Sequence, residues 1–97
     1  MTAATAKVQP QIAVVLAPAL LQLFPHAEMR PTVEARTVDD MITALDARWP
    51  GMGDRLRDTS PAVRKHINIF CDGRRLALDA ALAPGAQVFV LTAVSGG

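Results

Sequence analysis

Apolar positions in this chain fall into short blocks separated by proline, glycine and polar clusters, and the spacing inside each block predicts its local structure. Residues 11–17 (QIAVVLA) form a short β-branched run, the pattern of a buried strand, which Pro18 ends. Residues 19–24 (ALLQLF) fit either one helical turn or an ordered loop. Residues 29–36 (MRPTVEAR) alternate apolar and polar, but Pro31 cannot donate to a ladder, so an edge strand is expected. With the first strand it suggests an opening hairpin. The best helix starts at Thr37, a suitable N-cap, with Asp39 and Asp40 in the first turn, where the helix dipole favours negative charge. Val38, Met41, Ile42, Leu45 and Trp49 recur at helical spacing, and Pro50 and Gly51 stop the pattern.

After the helix, residues 53–64 read as a long polar connection with one more turn around 54–56. Residues 66–71 (HINIFC) alternate as a strand, Asp72 and Gly73 are a two-residue hairpin signal, and a short strand is expected near 74–77. A brief helical turn at 79–82 and a turn at Pro84 and Gly85 lead to the strongly apolar last strand, residues 87–92 (QVFVLT). The first and last strands are the most apolar and belong in the middle of the sheet. A mixed sheet of four to five strands packed on one main helix is the α+β solution for so short a chain. This order of elements is that of the ubiquitin-like β-grasp. The expected organisation is a flexible N-terminus at 1–10, a β-grasp domain at 11–92 and an extended tail at 93–97 ending in Gly-Gly.

Composition narrows the function. Ninety-seven residues make one domain, and although 51% are hydrophobic, seventeen are alanine, so the core is modest. Ten Lys or Arg stand against nine Asp or Glu, without the basic excess of a phosphate-neutralising protein, so no nucleic-acid partner is expected. The longest apolar run, 12–21, contains Pro18 and is too short to span a bilayer, which implies no membrane partner and a cytoplasmic location. One cysteine and two separated histidines cannot assemble an intramolecular disulfide or a zinc site, and no bound cofactor or metal is expected.

Side-chain catalysis finds little support. Ser60 and Ser95 lack an activating motif, His26 and His66 read as surface residues, and the carboxylates are explained by capping and solvation. Cys71 shares strand parity with Ile67 and Ile69, which favours packing over a nucleophilic role. The exception is the terminal pair Gly96 and Gly97. Two consecutive glycines at an end arise by chance in roughly one sequence in two hundred. Five residues past the last strand reach about 16 Å, and glycines can thread a channel too narrow for any Cβ. The chain's own carboxylate then becomes the reacting group: it can attack the α-phosphate of ATP in a partner's site, and a sulfur nucleophile can displace AMP from the resulting acyl-adenylate.

The order of elements, the segments VRKHINIFCDGRRLAL (63–78) and PGAQVFVLTAVSGG (84–97), and the helix ending in Trp49, Pro50 and Gly51 resemble the MoaD/ThiS family of sulfur carrier proteins over residues 11–97. The long connection after the helix and the HINIF strand are closer to the longer carriers of the CysO type. The resemblance implies a non-enzymatic carrier, activated by a ThiF/MoeB-like adenylating enzyme that uses ATP and a sulfur donor. Gly97 would carry the thiocarboxylate and Gly96 would provide clearance. It also implies a downstream sulfur-accepting enzyme, cysteine synthase-like or MoaE-like; in the latter case the chain would be the small subunit of molybdopterin synthase. A conjugating modifier and a binding module with an incidental Gly-Gly end are the other readings. Many family members carry a proline shortly before the terminal pair, where Thr92 and Ala93 stand here; the departure bears on the downstream partner rather than on the activation chemistry.

Partner recognition is expected on the sheet, with Val94 and Ser95 of the tail contributing. If Val88 and Val90 face the helix, alternation turns Phe89 and Leu91 to the other face, where Phe70 also lies. Such a patch is either a docking surface or a face covered by something else. Arg74 and Arg75 could add charge to it or simply keep an edge strand soluble.

Overall fold

The computed structural model describes residues 10–58 and 62–92. The expected flexible N-terminus and the tail at 93–97 fall almost wholly outside the described residues. The elements, in chain order, are β1 (Gln11–Leu16), α1 (Pro18–Leu23), β2 (Thr32–Glu34), α2 (Val38–Arg48), α3 (Met52–Leu56), β3 (Ile67–Cys71), β4 (Arg74–Arg75) and β5 (Gln87–Thr92). One five-stranded sheet has the order β2-β1-β5-β3-β4. β1 and β5 run parallel and every other pair is antiparallel. The two most apolar strands thus occupy interior positions, as the sequence predicts.

Alternation decides which side of the sheet is covered. Ile12, Val14 and Leu16 of β1, Ile67 and Ile69 of β3, and Val88 and Val90 of β5 point to one face and are buried there. α2 lies over that face and buries Val38, Met41, Ile42 and Leu45 completely, and Met52 and Leu56 of α3 extend the same core. At the start of α2 the Thr37 hydroxyl accepts from the Asp40 N–H at 3.1 Å. The orphan amides of Val38 and Asp39 donate to the carbonyls of Ala80 and Leu78 at 3.1 and 2.9 Å.

That docking accounts for a correction. The helical turn expected at 79–82 is absent: Ala81 makes an extended bridge to Thr37, and the Leu82 N–H donates to the Arg36 carbonyl at 2.8 Å. Capping α2 takes the carbonyls that a helical turn would have used. Other boundaries shift as well. The block at 19–24 takes the helical alternative as the short helix α1, which begins at Pro18 and ends at Leu23, and β1 and β2 are the expected antiparallel neighbours, joined through it. β2 is confined to Thr32–Glu34, although the ladder continues through Val14 and Leu16, whose N–H groups donate to the carbonyls of Pro31 and Met29 at 2.8 Å each. β4 has two residues instead of four, although Leu76 still donates to Ile69 at 2.7 Å. The Asp72 and Gly73 turn has φ of 53° and 76°, the left-handed pair that a two-residue hairpin requires.

Candidate functional site

The uncovered sheet face is where the structure gathers the residues singled out for partner recognition. Register places Val15, Phe89, Phe70 and Arg75 in one row across four strands, and Leu91 beside Asn68 in the next. Phe89 and Leu91 are 37% and 39% exposed, while Val15 and Phe70 are half-buried. No helix crosses this face among the described residues; α2 and α3 contribute to the core on the other. The rim is polar, with Gln11 donating to Glu34 at 3.0 Å on the β1/β2 side and the exposed Arg74 and Arg75 on the β4 side.

β5 carries this face toward the end of the chain. It is the central strand, laddered to β1 on one side and β3 on the other, with Thr92 still in register with Ile67. The expected reacting and clearance residues, Gly97 and Gly96, and the tail contacts Val94 and Ser95, lie outside the described residues.

Conventional chemistry is sparse in the rest of the molecule. Among the described residues no group of His, Cys, Asp and Glu could hold a metal ion, and no helix is long and apolar enough to cross a membrane. His26 and His66 are exposed. Asp39 is paired with Arg57 at 2.6 Å, and Glu28 with Arg48. Cys71 is half-buried and packs against the core; burial, then the Asp72 charge and a hydrogen bond to that carboxylate, push its thiol above the ordinary cysteine range. A group so shifted is a poorer thiolate source than free cysteine.

Two features were not singled out in the sequence. Leu23 and Met29, on α1 and the loop after it, are 51% and 49% exposed. Basic side chains also collect where β5 ends: Arg55 from α3 and Arg64 and Lys65 just before β3, with His66 beside them, line a groove with Leu23 and Thr92. The consecutive basic residues at 64–66 were the available signal, split between the polar connection, which ends at Arg64, and the strand pattern, which begins at His66.

Architecture and site together define a ubiquitin-like β-grasp protein with an open apolar sheet face leading into its C-terminal segment. The chain belongs to the ThiS family, which matches residues 24–97. Among solved structures it is similar to SAMP1 from Haloferax volcanii, at 26% identity and a TM-score of 0.75, covering 90% of this chain and 99% of that one. It is similar to CysO of Mycobacterium tuberculosis, described as an antigen, at 25% identity and a TM-score of 0.73, covering 86% and 99%. The fold also matches the Amycolatopsis orientalis BexX/CysO complex at 23% identity and a TM-score of 0.77, covering 89% and 99%. No curated protein matches.

Proposed function

We propose that the chain is a sulfur carrier whose C-terminal Gly97 is the working residue. The carboxylate of Gly97 attacks the α-phosphorus of ATP in a ThiF/MoeB-like enzyme, expelling pyrophosphate. Hydrosulfide from a sulfur donor then attacks the acyl carbon and expels AMP, leaving a thiocarboxylate for a downstream acceptor. The observation that carries this reading is the family match, which runs through residue 97 and so includes the Gly-Gly end. It is supported by the open face: Phe89 and Leu91 of β5, the strand that precedes the Gly-Gly end in the chain, form an apolar patch with Phe70 of the neighbouring β3.

Intact-mass measurement tests the chemistry. Incubated with ATP, an adenylating enzyme that accepts it and a sulfur source, the chain gains the mass of one sulfur-for-oxygen exchange, and deletion of Gly97 abolishes the gain. Unchanged mass, with the enzyme shown active on its own carrier, counts against it. Phe89→Ala and Leu91→Ala raise KM for activation while leaving kcat, because they remove docking contacts and not reacting atoms.

The 26% identity to SAMP1, whose name in full is small archaeal modifier protein 1, supports a second reading, a protein modifier using the same activated end. Slow-migrating adducts that disappear on deletion of Gly97 would favour it. Co-purification with a MoaE-like protein would instead assign the chain to molybdopterin synthase as its small subunit, and a cysteine synthase-like acceptor would assign it to cysteine formation.

A further inference from the structure

Where β5 ends, a groove of about 630 Å³ opens between α1, α3 and the start of β3, and Thr92 is part of its wall. Leu20 and Ile67 provide an apolar floor, and half-exposed Leu23 an apolar wall. Charge on the lining is one-sided: Arg55, Arg64 and Lys65 stand against a single carboxylate, Asp54, with His66 beside them. Arg64 is committed, its Nε–H donating to the Asp54 carbonyl at 2.5 Å. Among the described residues the side chains of Arg55, Lys65 and His66 make no hydrogen bond or ion pair, and all three are exposed. The whole chain has a net charge of only +1, so this excess is a matter of placement and not of composition.

We propose that this groove docks an acidic, partly apolar peptide segment of the protein that receives the chain's C-terminal end. The proposal rests on the sulfur-carrier reading and adds the chemistry of the partner to it. A protein that takes hold of the residues after Thr92 approaches the domain at the end of β5, where the groove opens. Unpaired cations at such a rim steer an oppositely charged partner and fix its orientation. The apolar floor gives side chains such as leucine a place to bury, which a nucleic-acid backbone would not use. An amphipathic acidic segment matches both features.

The probe is a capped peptide of alternating Glu and Leu, titrated at low salt into the full ¹⁵N-labelled chain, with a Gln-for-Glu counterpart as control. Amide shifts concentrated at Leu23, Arg55, Lys65, His66 and Thr92, weakened by added salt, are expected from the acidic peptide alone. Combined Arg55→Ala and Lys65→Ala substitution should weaken binding about fivefold while the amide shifts of β1 and β5 stay in place. Lys65→Arg should retain it. Equal binding of the Gln peptide, or shifts centred on Phe89 and Leu91 instead of the groove, would overturn the proposal. So would an equal response to an oligothymidylate, which would mark a general polyanion site. No ATP or activation is involved, so failure here is distinct from failure to gain sulfur.

Discussion

β5 offers a direct contrast between its two faces. Val90 is fully buried between register partners Leu16 and Ile69, whereas its neighbour Leu91 is 39% exposed on the open face. Val90→Ala removes two methyl groups from the core, roughly 1.6 kcal/mol of lost transfer free energy at about 0.8 kcal/mol each. The surrounding strands are held by ladders on both sides and relax little, so the cavity raises the cost to about 2–3 kcal/mol. Leu91→Ala removes a larger side chain, but water fills the space and no cavity forms, so about 0.5–1 kcal/mol is expected. At about 4–8 °C per kcal/mol for a domain of this length, Tm falls by about 8–24 °C for the first and about 2–8 °C for the second. Urea unfolding followed by circular dichroism, with m unchanged between variants, measures both. Equal costs would refute the assignment of faces, because Leu91 would then have to be covered.

Three further outcomes follow from local geometry. The Asp46 carboxylate accepts from the Gly51 and Gly53 N–H groups at 3.0 and 2.9 Å, tying α3 to α2, so Asp46→Ala should cost about 1–3 kcal/mol in the same urea assay. Gly73→Ala meets no atom within 4 Å and should still cost about 1–2 kcal/mol, solely from holding a φ of 76°; a loss below a few tenths would show that the turn relaxes. Because Cys71 ionises less readily folded than unfolded, its contribution to stability is fully present below the ordinary thiol range and fades as pH rises through it. Iodoacetamide should accordingly modify native Cys71 more slowly than the unfolded chain, and Asp72→Asn should speed the native reaction.

Much of this fold was legible because the signals are local and mutually consistent. Pro31 excluded its strand from the sheet interior, the Asp72 and Gly73 pair demanded a hairpin, and Thr37 with Asp39 and Asp40 marked where α2 begins. What was misread depends on partners distant in sequence. The segment 79–82 has the composition of a helical turn, but its carbonyls cap α2, a requirement set forty residues earlier in the chain. The open face was readable from strand parity alone, since Phe89 and Leu91 alternate with Val88 and Val90. The groove was not, because Arg55 and Lys65 come together only when α3 packs beside the start of β3.

The sheet order also bears on the proposed role of the end that follows β5. An edge strand has one ladder and can peel away when its terminus is drawn into another protein's channel. β5 is bonded on both sides, to β1 and β3, and the Ala17 N–H adds a further bond to the Val90 carbonyl at 2.9 Å. Force on residues beyond Thr92 is therefore resisted by two neighbouring strands and by a core that buries Val88 and Val90 completely. A rigid root fixes where the chain leaves Thr92 relative to the apolar face, so that, under the proposed function, docking of the face and entry of the end would be satisfied by one rigid placement of the domain. An edge placement would uncouple the two and leave the root of the proposed reacting end to the dynamics of a fraying strand.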